Sequence, residues 1–108
     1  MKHINKLVRD KVLLFIEKDG HKYKSKVLNQ KEYKIELLNA LIEEASEVKL
    51  ATDKLELTVE LADVYEVLDA IKLAFDINPG DLTRAQTRKR KERGGFDNRI
   101  FLETIDDQ

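Results

Sequence analysis

The chain has no cysteine and no tryptophan, a single proline, four glycines and two histidines. Without cysteine it can form neither disulfides nor thiolate metal sites, so a bound metal must rely on carboxylate oxygen, imidazole or water, a donor set that favours hard cations. His3 and His21 stand apart among charged residues and offer no histidine metal site; both are read as surface residues. Aromatics make up only 6% of the chain, and none of Tyr23, Tyr33 and Tyr65 has a context that assigns it to binding. No window approaches the roughly 18 apolar residues of a membrane span. The N-terminal "MKHINKLVRDK" is charged throughout, so neither a signal peptide nor a membrane partner is expected, and the cytoplasm is the expected location. An excess of one charge is missing too. With 20 basic and 21 acidic residues the formal net charge is −1, which leaves no global field to hold nucleic acid or an anionic membrane.

What is present is 42% apolar and 38% charged residues over 108 positions, the balance of a soluble helical protein with one domain spanning residues 1–108. The expected fold class is all-α: a bundle of about four helices, with two long central antiparallel helices, assembled as an oligomer. Leu7, Val8, Val12, Phe15 and Ile16 predict a first helix from Ile4 to Lys18, closed by Gly20 in the left-handed conformation. "HKYKSKVL" reads as an extended connector. Asn29 with Glu32, and Asp53 with Glu56, have the form of capping boxes and open the two long helices. Asn78, Pro79 and Asp81 open a fourth helix that stops at Gly94 and Gly95, and Ile100, Phe101 and Leu102 give the tail a short apolar grip.

The third helix is apolar on two sides. Leu57, Val64, Val67 and Phe75 fill one, while Leu55, Val59, Ala62 and Leu73 mark the other. Apolar residues around most of a helix imply burial all round, and a small domain has too few elements to provide it, so a second copy is expected to cover the remaining face.

Carboxylates are set into these helices. Glu43, Glu44 and Glu47 fall within about 100° of arc beside the apolar stripe of Leu37, Leu41, Ala45 and Val48. Alone they would describe an ordinary solvated flank. In the next helix, however, Glu60 lies near the middle of the arc formed by Leu57, Val64, Val67, Leu68, Ile71 and Phe75, with Asp63 about 60° to one side. A carboxylate there must be protonated, hydrogen-bonded internally, paired with a Lys or Arg, or bound to a cation. Adjacent antiparallel helices would turn the i, i+3 pairs Glu44/Glu47 and Glu60/Asp63 toward each other. Four acids meeting without a base repel strongly, and an all-oxygen cage with room for water suits Mg²⁺ or Mn²⁺.

Glu44-x-x-Glu47, twelve intervening residues and Glu60-x-x-Asp63 resemble the ExxE…ExxD motif of the all-α nucleoside triphosphate pyrophosphohydrolases, the MazG-like superfamily. "NKLVRDK" at 5–11 and "KERGGFDNRIFLE" at 91–103 are similar to the ends of a small single-domain group within it. One departure is that related sequences often carry a proline soon after "LVRDK", where Val12 and Leu13 stand here. The resemblance implies a homodimer or homotetramer whose helical bundle binds Mg²⁺ through Glu44, Glu47, Glu60 and Asp63. It also implies hydrolysis of a nucleoside triphosphate substrate between the α and β phosphates, a chemistry suited to clearing damaged or surplus nucleotides. Glu43 is the expected outer-sphere helper, and either it or Glu44 would be the general base.

The basic run "RAQTRKRKERGG" reads as a solvated face, as a nucleic-acid patch, or as the source of cations for a triphosphate, whose charge exceeds what bound metal cancels. Lys91 and Arg93 are the expected phosphate ligands from that run, with Lys6, Arg9 and Lys11 as a second group and Asp10 paired to Arg9 or Lys6. Two other functions fit the same residues: a phosphoribosyl-ATP pyrophosphohydrolase, and a non-catalytic helical module that binds metal, or RNA through residues 84–93.

Overall fold

The computed structural model describes residues 2–107, and among them the regular structure is entirely helical. Four helices follow in order: α1 Val12–Lys18, α2 Gln30–Leu50, α3 Lys54–Ala74 and α4 Pro79–Arg93. None of them is long and apolar enough to cross a membrane. The described residues form two compact units, divided between Ile77 and Asn78.

Local chemistry sets most helix ends. The Asn29 side chain accepts the Glu32 amide at 2.8 Å, and the Asp53 side chain accepts the Glu56 amide at 2.8 Å, so each long helix begins where a capping residue satisfies an otherwise orphaned N–H. Glu56 reaches back one residue further than a capping box requires. Its carboxylate accepts from the Thr52 amide at 2.8 Å and the Thr52 hydroxyl at 2.7 Å, and these hydrogen bonds hold its pKa below the usual value. In the second unit, Asn78 caps α4 through Gly80, and Pro79 occupies the first turn, where its missing N–H costs nothing.

Helix α1 ends as expected at Gly20, whose φ of +78° allows the Gly20 amide to bond Glu17 and the His21 amide to bond Ile16. The same pair of bonds closes α3, with Asp76 rather than glycine at a φ of +54°. The start of α1 differs from the expectation. It lies at Val12 rather than Ile4, and residues 4–8 carry no helical turn. Asn5 has a φ of +49°, which breaks a helix, and Asn tolerates that conformation better than most residues. The apolar spacing of Leu7 and Val8 thus belongs to an irregular segment, joined to α1 by a turn in which the Val12 amide bonds the Arg9 carbonyl.

In the first unit α2 packs against α3. Leu37, 4% exposed, is the only buried hydrophobic residue among those described. The second apolar side of α3 stays open: Leu55 is 76%, Val59 53% and Leu73 81% exposed. Helix α2 adds Ile35 and Ile42 to the exposed apolar surface. At the other end of this unit the Lys34 ammonium lies 5.4 Å from the centre of the Phe75 ring, a cation–π contact that ties the start of α2 to the end of α3. In the second unit the apolar tail residues Ile100, Phe101 and Leu102 are exposed.

Candidate metal centre

The packed helices present the carboxylates on facing turns. Glu44 from α2 and Glu60 and Asp63 from α3 each offer one oxygen, and the three oxygens lie within 4.8 Å of one another. All three residues are half-buried, and so is Glu43, whereas Glu47 is exposed and lies outside this group although it follows Glu44 by one helical turn.

The pKa of Glu44 stands above its ordinary value. Burial contributes most, followed by the negative charges of Asp63, Glu60, Glu43 and Glu47.

Basic residues answer only part of this charge, and they come from the irregular N-terminal segment. Arg9 donates from Nη2 to Asp63 Oδ1 at 2.7 Å, and Lys6 donates from Nζ to Glu43 Oε1 at 2.7 Å. Lys6 is held protonated above its ordinary pKa chiefly by the bond to Glu43 and that carboxylate's charge, with smaller contributions from Glu44 and Glu47. Neither cation pairs with Asp10. Lys11 makes no ion pair among the described residues and lines a shallow depression on α1 with Leu14, Phe15, Glu17 and Lys18. Lys91 and Arg93 stand in the last turn of α4, in the second unit, where their charge complements the helix dipole.

The sequence reading missed the pairings themselves. Lys6 and Arg9 were expected to bind phosphate, yet here they contact carboxylates 37 and 54 positions away. The only signal was their occurrence as a K-x-x-R pair in a chain whose acids also repeat at i, i+3.

The converging oxygens fit a divalent cation. Mg²⁺ sits about 2.0–2.1 Å from its ligands, so opposite oxygens of its octahedron are roughly 4.2 Å apart, and Ca²⁺ tolerates larger separations. The trio, with its oxygens all within 4.8 Å of one another, is of the size that one such ion spans. Two of its members, Glu44 and Glu60, have no basic partner among the described residues, so the donors are hard, anionic and under-neutralised.

The raised pKa of Glu44 has a definite sign in stability. The stabilisation from its protonated form is complete below the unfolded value of 4.5 and is lost as pH rises through the higher folded value. With a chelator present, Glu44→Gln should therefore melt a few degrees above the wild type at pH 7, where the charge is removed. That advantage should vanish below about pH 4.5, where Glu44 is already neutral. Thermal melts of both proteins at pH 4 and pH 7 check this, and an equal difference at both values would contradict it.

Comparison of the chain with protein-family models, with curated proteins and with solved structures finds no match in any of the three.

Proposed function

We propose that the protein is a Mg²⁺-dependent nucleoside triphosphate pyrophosphohydrolase, cleaving between the α and β phosphates to give a nucleoside monophosphate and pyrophosphate. The observation that carries this reading is the convergence of three carboxylate oxygens within 4.8 Å with a single basic partner among them, Arg9 on Asp63. The spacing of these acids along the chain and their resemblance to the ExxE…ExxD motif support the choice of reaction.

In this reading α2 and α3 form an antiparallel hairpin across residues 51–53. Glu44, Glu60 and Asp63 would hold the cation, and Glu47, one turn further along α2, would be a fourth ligand. Mg²⁺, or Mn²⁺ in its place, supplies neutralisation of the triphosphate and a more acidic water. Glu43 stands next to Glu44 and outside the trio, so it is left to accept the proton of the attacking water. Lys6 and Arg9 offer the positive charge that a triphosphate needs beyond the metal. The enzyme works in the cytoplasm.

A second copy completes the fold. The exposed Leu55, Val59 and Leu73 on α3 form the surface that a homodimer, or a homotetramer built from it, would cover.

A specific observation favours one rival. Arg84, Arg88, Lys89, Arg90, Lys91 and Arg93 are all exposed along α4, as expected of a non-catalytic module that binds anionic partners.

Two measurements test the proposal. Pyrophosphate release from a panel of nucleoside triphosphates and phosphoribosyl-ATP should require Mg²⁺. Glu60→Gln should stay folded and lose turnover by more than about a hundredfold, the upper range for a residue that merely orients a metal ligand. No release from any substrate would favour the binding module, and near wild-type turnover in Glu60→Gln would remove Glu60 from the ligand set. Light scattering at micromolar concentration should report at least twice the 12.6 kDa chain mass, and a monodisperse monomer that is active would refute the assembly.

A further inference from the structure

The N-terminal segment touches the acidic cluster at two places on two different helices. Lys6 binds Glu43 on α2, and Arg9 binds Asp63 on α3. The backbone around them is irregular, with a left-handed residue at Asn5 just before Lys6 and a turn leading into α1 after Arg9. The segment thus lies as a strap on the two carboxylate-bearing helices, fastened by two cations.

Both fastenings are half-exposed ion pairs, a class that contributes little to stability and exchanges readily. Arg9 is seated on a residue whose oxygen belongs to the converging trio, so a dication entering among those oxygens would lie close to a guanidinium of like charge. Their repulsion and their shared demand for the Asp63 carboxylate oppose simultaneous occupancy. A guanidinium that oriented Asp63 toward the metal would have the opposite effect, since removing it would loosen the metal.

We propose that Lys6 and Arg9 are internal counter-ions of the carboxylate cluster, Arg9 competing with the divalent cation for Asp63 and Lys6 opposing it from Glu43 by like charge alone, so that cation binding favours release of both to the phosphates of the substrate. This rests on the metal-site reading above. It adds that metal and triphosphate bind with positive cooperativity, because the first ligand frees the groups that hold the second. A strap of this kind would also keep the cluster partly neutralised when the cation is scarce.

The sign of one affinity change separates the alternatives. Free Mn²⁺, counted by electron paramagnetic resonance, gives its dissociation constant for the wild type, Lys6→Gln, Arg9→Gln, Arg9→Lys and, as a control for net charge, Lys24→Gln. Arg9→Gln and Lys6→Gln should bind Mn²⁺ about three- to tenfold more tightly than the wild type, the range expected for losing one screened like charge near the ion. Arg9→Lys and Lys24→Gln should stay near the wild-type value. At saturating Mn²⁺, a non-hydrolysable α,β-methylene triphosphate should bind more weakly to Arg9→Gln and Lys6→Gln than to the wild type. Unchanged or weaker Mn²⁺ binding in Arg9→Gln would overturn the competition, and unchanged analogue binding in both Gln variants would overturn the release to phosphate. A wild type that binds no Mn²⁺ would overturn the metal reading itself, a result distinct from either.

Discussion

Repulsion among carboxylates held on facing turns of α2 and α3 is the constraint around which the rest of the first unit is arranged. A helix pair ordinarily buries apolar residues along its seam, and charge there has to be answered. Glu44, Glu60 and Asp63 come within 4.8 Å instead, and burial together with the neighbouring acids pushes the Glu44 pKa upward. The unit answers this charge only in part, through Arg9 on Asp63 and Lys6 on Glu43. The geometry thus keeps an unsatisfied demand for positive charge at one place, which is the physical requirement of a cation-dependent site.

Such a site needs rigid support, and the long helices obtain it from their ends more than from a core. Asn29 and Asp53 fix where α2 and α3 begin, Glu56 ties Thr52 back onto α3, and Lys34 over Phe75 links the far ends of the pair. Leu37 is the only buried hydrophobic residue among those described, while one side of α3 remains apolar and exposed. The same helix that carries Glu60 and Asp63 therefore also carries the exposed apolar surface proposed to meet a second copy. Association and site geometry would then be coupled through α3.

Much of this was legible in the sequence because it is local. Capping by Asn29, Asp53 and Asn78 depends on residues two or three positions apart, and the left-handed stop at Gly20 depends on one residue's freedom at positive φ. The placement of Glu60 and Asp63 followed from helical periodicity, which also put Glu44 on the matching face. Periodicity could not reveal that the segment before Val12 is irregular, since Leu7 and Val8 keep a helical spacing while Asn5 and the contacts of Lys6 and Arg9 dictate the backbone. Nor could it separate Glu44 from Glu47: both lie on one face, and only the actual path of α3 decides which meets Glu60 and Asp63. The cross-chain ion pairs were invisible for the same reason, because no spacing rule connects Arg9 to Asp63.

The central claim is that the oxygens of Glu44, Glu60 and Asp63 constitute a divalent-cation site. Crystals grown in millimolar Mn²⁺ and measured near the manganese absorption edge test it most directly, because anomalous scattering locates the ion without reference to activity. The account predicts an anomalous peak among those three side chains, at ligand distances typical of a hard cation bound by oxygen. Well-ordered carboxylates with no peak between them, or a peak confined to other residues, would contradict it.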